Sequence, residues 1–358
     1  MKNNKQNKSS IIEKYHETWE RQQDLKTLTT PHYPRQIEVF LPNEYYGIDL
    51  IVKNFIELSP DKSLYFGIPH GVEIGDDFVG NVFGLKTNLH THLYNNEVGL
   101  NNLIRHQVQG WNVPAAHPIA LLKKMMIEES FYNQNHKINA VLFFPSHRDH
   151  THDFVNKNYD KIVCDGLEAL RQKHGEIHIS FQADDILLGR HKIYIERGFK
   201  VVSSGNRMDP RFLSRFANLV TSYKYVATNE IGSHIFYSVY LGTPCIHWNL
   251  KLPLVALINT ERRIKTPFLL DKTLMEYFNN GTLFSEDVAN QLLGINELHL
   301  SRNYWQQIWS SSSKRDFLYF IVPNGSNNQV VLPSALRRKL KKIIGIFILF
   351  LKLPSRMK

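Results

Sequence analysis

INAVLFFP (Ile138–Pro145) is the first of five apolar runs that decide the fold. EIHISFQ (Glu176–Gln182), FKVVSS (Phe199–Ser204), YKYVAT (Tyr223–Thr228) and TPCIHW (Thr243–Trp248) follow it. Four segments of helical character separate them: Tyr159–His174, Ile186–Gly198, Pro210–Ser222 and SHIFYSVYLG (Ser233–Gly242). The runs are nearly all apolar rather than alternating, which marks strands buried on both faces, and the intervening segments are amphipathic. Strands and helices in strict alternation predict a parallel sheet covered by helices on both sides, a doubly wound α/β domain beginning at about residue 131.

Upstream the alternation is looser. Ile11–Leu28 reads as a surface helix broken by Thr29, Thr30 and Pro31. Tyr46–Leu58 reads as a second helix, and SLYFGIP (Ser63–Pro69) as a buried strand running into His70-Gly71. Asn81–Gly110 is polar and rich in His and Asn, and VPAA reads as a short strand ending at His117-Pro118. A chain of 358 residues with 42% hydrophobic and 12% aromatic residues can bury a sizeable core, and its length predicts two domains. The expected organisation is a polar tail at 1–10, an α/β domain at 11–130, a second at 131–333 and a distinct tail at 334–358. Two cysteines, Cys164 and Cys245, both in apolar stretches, make neither a disulfide framework nor a four-thiolate zinc site and suit a reducing cytoplasm.

In a doubly wound sheet, ligands bind beyond the carboxyl ends of the strands, and polar clusters stand at three such positions. Ser146, His147 and Arg148 follow the first strand; the Arg and His side chains there can neutralise a phosphate by charge-assisted hydrogen bonds. His147, Asp149, His150, His152 and Asp153 are also metal-ligand types, but alternate residues of a loop set no geometry and no HExxH is present, so no metal is expected. Gly205, Asn206 and Arg207 follow the third strand, where the glycine allows either a turn or close approach of a ligand. Asn229, Glu230, Gly232, Ser233 and His234 lead from the fourth strand into a helix. The free N–H groups and dipole of a helix start attract phosphate, and Glu230 can accept from ribose hydroxyls; ordinary capping by Ser233 is the competing reading.

Strand, Asn-Glu-x-Gly-Ser, a Tyr-bearing helix and Leu241-Gly242-Thr243-Pro244 resemble the nucleotide-sugar-binding half of the GT-B glycosyltransferases, which are built of two Rossmann-like domains, and of related epimerases. His70-Gly71 after an apolar strand is similar to the donor-facing region of that architecture. His117-Pro118 resembles the His-Pro pair of bacterial sialyltransferases, but it precedes the second domain and takes no role here. The chain departs from that pattern in having no clear Glu-x(7)-Glu donor signature. The resemblance implies two doubly wound domains facing across a cleft and an inverting, metal-independent transfer that needs no cofactor beyond the nucleotide-sugar donor. The catalytic base would come from His70, Glu73 or Asp76 in PHGVEIGDD, with the leaving phosphate held by His147, Arg148 and the amides at Gly232 and Ser233. Transfer of a phosphoalcohol from a CDP-activated donor, with His70 and His234 catalytic, and a non-catalytic nucleotide-binding scaffold of a glycan assembly complex are the alternatives. No GxGxxG opens a βα unit, which disfavours an oxidoreductase.

Lys and Arg number 43 against 33 Asp and Glu, a net charge of +10. The excess is local. Residues 334–358, SALRRKLKKIIGIFILFLKLPSRMK, carry eight basic residues and no acid, residues 1–8 carry three, and the remaining body has 32 basic against 33 acidic. A broad nucleic-acid groove would need its cations on that body. Arg337, Arg338, Lys339, Lys341 and Lys342 precede the apolar run Ile343–Leu351, which is far shorter than the roughly 20 residues of a spanning helix. The pattern predicts a basic amphipathic helix lying on an anionic leaflet. Together these features predict a cytoplasmic enzyme, peripheral on the inner face of the membrane, that extends a lipid-linked or surface polysaccharide such as capsule or lipopolysaccharide.

Overall fold

The central strand of the larger sheet, β3 (Ile138–Phe144), alternates its side chains between two cores. Val141 and Phe143 enter one, and Ala140 and Leu142 the other. A strand apolar on both faces must be covered on both, and the chain supplies helices to each side. The computed structural model describes residues 23–74, 89–108, 110–132, 137–146, 158–229, 232–248 and 285–318. Within these, β3, β4 (Glu176–Gln182), β5 (Lys200–Gly205), β6 (Tyr223–Thr228) and β7 (Cys245–His247) form one parallel sheet in the order β5-β4-β3-β6-β7. The chain enters in the middle, winds outward through β4 and β5, then returns to the other side of β3 as β6 and β7. Strand order therefore reverses between β3 and β6, the position at which connections leave in opposite directions and open a crevice beyond the strand ends.

Among the described residues eight α-helices of five or more residues accompany the sheets before the C-terminal pair: α1 (Ile48–Phe55), α2 (Glu97–Arg105), α3 (Pro118–Glu128), α4 (Tyr159–His174), α5 (Ala183–Leu187), α6 (His191–Glu196), α7 (Phe212–Thr221) and α8 (Ser233–Tyr240). They are followed by α9 (Glu286–Leu292) and α10 (Arg302–Leu318). On one face of the sheet α4 buries Tyr159, Val163, Cys164 and Leu167, the i, i+4, i+5, i+8 spacing of a single helical stripe. Asp160 in its first turn and Arg171, Lys173 and His174 in its last match the helix dipole. The helix predicted over Ile186–Gly198 is two short ones, α5 and α6, parted at Gly189, whose φ of +77° a continuous helix does not allow.

On the opposite face Phe216, Leu219 and Val220 of α7 and Ile235 and Phe236 of α8 pack in the same core as Ile51, Val52 and Phe55 of α1 and Leu121 and Leu122 of α3. Residues 1–315 form one compact unit, and this core runs across residue 130 without a break. The first half of the chain thus does not close a core of its own at the expected boundary. Its described strands are β1 (Thr91–Tyr94) and β2 (Trp111–Pro114), paired in parallel around α2, with Gly67 bridged to His92 beside them. SLYFGIP is not a regular strand. Side chains rather than a ladder satisfy much of its backbone: Leu64 N–H donates to Glu38 Oε2 (3.0 Å), and Asn43 donates to Phe66 O (2.8 Å) and accepts from Ile68 N–H (2.9 Å). Of the helix predicted over Ile11–Leu28, the single turn Leu25–Leu28 is formed within the described residues; residues 11–22, the polar tail at 1–10 and residues 334–358 lie outside them. Among the described residues no helix is long and apolar enough to cross a membrane.

The two halves of the chain are fastened by a turn. Tyr46 and Gly47 adopt left-handed φ values of +61° and +72°, Tyr46 N–H donates to Arg207 O at 2.6 Å, and a Cβ on Gly47 would stand 2.0 Å from Pro210 O. Gly47→Ala is expected to lower stability by at least about 2 kcal/mol, from backbone strain and displacement of the 207–210 loop. A fall in the urea midpoint at unchanged m-value would show it, whereas an unmoved midpoint would mean that the turn is adaptable.

Candidate active site

At the switch point between β3 and β6 the described chain ends at Ser146 on one side and at Asn229 on the other. Ser146, just past β3, is fixed through its backbone: its carbonyl accepts from Arg190 Nη1 at 2.9 Å. Arg190 is itself buried between Asp185 (2.7 Å) and Asp160 (2.7 and 3.0 Å). A guanidinium held in a fixed fork by two carboxylates is a rigid post, and it sets where the 146 loop departs. His147 and Arg148 lie outside the described residues, as do Glu230 and Asp76.

Past β6, Asn229 is buried and donates through Nδ2 to Tyr159 Oη at 2.9 Å, while its Oδ1 is enclosed with no hydrogen-bond partner among the described residues. His234 turns toward the strand ends; its Nε2 lies 3.0 Å from Thr228 Oγ1, and its ring packs on Phe144 with centroids 5.1 Å apart. Thr228 in turn donates to Phe144 O. Gly232 is the N-cap of α8 with extended backbone and no side-chain cap. Ser233, the first residue of the helix, does not cap it. Its Oγ accepts the backbone N–H of Val72 at 2.8 Å.

That bond carries the loop 70–74 onto the helix start. Gly71 is needed there, since a Cβ would sit 2.9 Å from Ser233 Oγ. His70 stands among the rings of Tyr45 and Tyr46, with centroids 5.8 and 6.2 Å away. Burial, and then the charge of Arg207, lower its pKa to about 4, so the ring is neutral at pH 7. Glu73 lies with its carboxyl against Gly99 in the first turn of α2, where a Cβ would approach Oε2 to 2.6 Å. Its main-chain carbonyl is held by Asn96, which also caps α2 by accepting from Gly99 N–H and reaches Leu292 O. Burial pushes the Glu73 carboxyl up to about 7, the range in which a side chain both takes and returns protons at neutral pH. Asn96 and Gly99 belong to the stretch read only as polar. Asn96 one residue before EVGLNNLIR is the cap signal that identifies α2.

Gly205 and Asn206 stand at the end of β5, two strands away from the crevice. Gly205, at φ +94°, is packed against Arg215, and Asn206 Oδ1 accepts from Met208 N–H, closing a turn that Asp209 secures through Arg215 at 2.6 Å and Arg211 at 3.2 Å. What this corner contributes is Arg207, an exposed cation with its guanidinium 5.7 Å from the Tyr45 ring centre. Sequence reasoning gives no role to His117 and does not single out Tyr237. His117 is fully buried at the N-cap of α3, Nδ1 accepting from Ile119 N–H at 3.2 Å and Nε2 2.9 Å from Tyr237 Oη. Burial, and then the proximity of His70, lower its pKa to about 3. Among the described residues no cluster of His, Cys, Asp and Glu has the grouping of a metal site. Comparison of the chain with models of protein families gives no match, and comparison with curated proteins gives no significant one.

These groups make stability depend on pH in opposite senses. His70 and His117 refuse protons in the fold that the unfolded chain accepts below about 6.5, so their contribution is lost as pH falls below that value. Glu73 keeps in the fold a proton that the unfolded chain releases at about 4.5, so its contribution declines as pH rises from there to about 7. Glu73→Gln should therefore gain on the native protein between pH 5 and pH 8, by up to about 3 kcal/mol. Thermal denaturation of both across that range measures the gap, and a constant gap would show that Glu73 ionises as a surface carboxylate does.

Proposed function

We propose that the chain is a nucleotide-sugar-dependent glycosyltransferase, inverting and independent of metal, acting on a lipid-linked or surface polysaccharide acceptor. The observation that carries the reading is the bond from Val72 N–H to Ser233 Oγ. It joins a loop whose Glu73 carboxyl is pushed by burial up to about 7 to the helix start beside the point where strand order reverses. Glu73 is the favoured base because its carboxyl titrates near pH 7; deprotonated, it takes the proton of an acceptor hydroxyl. His70, neutral beside Arg207, orients that hydroxyl, and the start of α8 stabilises the departing phosphate. The basic tail at 334–358 would hold the enzyme at the cytoplasmic face of an anionic membrane, where a lipid-linked acceptor resides. A phosphoalcohol transfer with His234 as the reacting group has less support, since that ring is engaged with Thr228 and Phe144.

The expected result of a thermal-shift panel is stabilisation by one of UDP, GDP and CMP, followed by transfer or hydrolysis of an activated sugar carrying that nucleotide. Glu73→Gln should lower kcat by roughly 10²–10⁴ with little change in KM. Indifference to all three nucleotides and to their sugars would overturn the reading.

A further inference from the structure

Tyr45, Tyr46, His70 and Arg207 gather where the Tyr46–Gly47 turn meets the end of β5. The His70 ring stands 5.8 Å from Tyr45 and 6.2 Å from Tyr46, centroid to centroid, and the Arg207 guanidinium lies 5.7 Å from the Tyr45 ring centre. These are ring contacts only: among the described residues neither phenol, nor the imidazole, nor the guanidinium takes part in a hydrogen bond or an ion pair. The next arginines differ. Arg211 and Arg215 share Asp209 and Arg197 takes Asp165, whereas Arg207 is exposed and reaches no carboxylate among the described residues. Asp184 is the acid whose charge acts on Tyr46, and it forms no ion pair with Arg207. The backbone fixes the group. Tyr46 holds a φ of +61°, which is costly for a bulky side chain and is the kind of strain that collects at binding sites. Its N–H donates to the Arg207 carbonyl at 2.6 Å, which ties the tyrosine pair to the arginine.

We propose that Tyr45, Tyr46, His70 and Arg207 form a binding subsite for a sugar ring that carries a negative charge, a carboxylate or a phosphate. The guanidinium takes the charge through paired hydrogen bonds, a geometry that lysine does not reproduce. The rings favour a sugar over a nucleobase. Tyr45 and Tyr46 meet at 75° and His70 stands at 80° to Tyr45, so they enclose a corner and not the parallel faces that hold a flat base between them; the nearest to parallel, Tyr46 and His70, are tilted by 31°. A puckered ring can lay its C–H face on one tyrosine and turn its hydroxyls to the phenols and the imidazole. His70, neutral at pH 7, offers those hydroxyls one donor and one acceptor. The inference rests on the transferase reading only for the role of the ligand, which would be the acceptor, an acidic glycan presented to the loop that bears Glu73.

Calorimetric titration of the full chain with D-glucuronate, D-glucose 6-phosphate and D-glucose tests it. One of the charged sugars is expected to bind at least about tenfold more tightly than glucose, as a hydrogen bond to a charged group provides, and which one it is distinguishes carboxylate from phosphate. Arg207→Met should remove that advantage and leave glucose binding as it was, and Arg207→Lys should keep part of it. Tyr45→Leu should weaken charged and neutral sugars alike. Arg197→Met, which removes an exposed arginine paired with Asp165, should change nothing. Circular dichroism confirms that each variant is folded. Binding of neither charged sugar, or a preference that survives in folded Arg207→Met, overturns the inference. Displacement of the bound sugar by UMP in the native chain, with UMP binding itself weakened in Arg207→Met, would assign the corner to the nucleotide and overturn the ligand class. Charge-selective sugar binding in a chain that transfers from no nucleotide sugar keeps this inference and overturns the transferase reading; transfer to a neutral acceptor, indifferent to Arg207→Met, does the reverse.

Discussion

Strand β3 is apolar on both sides and sits at the centre of its sheet, and this single requirement, that both faces be covered, organises everything around it. One face is closed locally by α4 and α6. The other is closed by α7 and α8 together with α1 and α3, which come from the first hundred and thirty residues. Because those helices complete a core they do not own, the first half of the chain is bound to the second by burial of apolar area. The loop 70–74 is held at the start of α8 by the bond from Val72 N–H to Ser233 Oγ.

Loops held at strand ends leave polar groups inside, and the structure answers several of them with directed bonds. Arg190 is held by two aspartates and in turn holds the carbonyl of Ser146. Asp209 gathers His32, Arg211 and Arg215 beneath the end of β5. Lys53, fully buried, lies between Glu38 and Asp49. Such pairs contribute little net stability once desolvation is counted, yet removing one partner is strongly destabilising. Their effect here is to give the loops single positions. His70 and Glu73 stand out against that background. His70 is flanked by a cation and Glu73 shows no carboxylate or cation partner among the described residues, and their proton affinities move with burial accordingly.

The second sheet was legible to within a residue or two. Tyr159–His174, Glu176–Gln182 and Tyr223–Thr228 stand where the pattern put them, because a strand buried on both faces and a helix buried on one leave unmistakable composition. The first half was not. SLYFGIP has the composition of a strand, but Asn43, Glu38 and Gly67 determine its bonding, and no local pattern announces side chains that arrive from twenty or more residues away. The polar stretch before Gly110 conceals β1 and α2, since their burial is shared with residues as distant as Leu292.

The candidate site divides the same way. Asn229, Gly232 and Ser233 lie at the junction of β6 and α8 that the sequence marks with a glycine and a small polar residue between a strand and a helix. Their duties are not marked there. Ser233 binds the opposite loop instead of capping its helix, His234 is drawn to Thr228, and Gly205 and Asn206 build a corner that sets the neighbouring Arg207 beside Tyr45. His117 and Tyr237 are separated by 120 residues and meet only when α3 and α8 pack on one core. Amino-acid order by itself determined the alternation of buried strands and covering helices, since hydrophobic periodicity is a local property. Which polar groups face one another, and in which direction each hydrogen bond runs, was decided by tertiary packing alone, because donors and acceptors are paired by distance in space and not by distance along the chain.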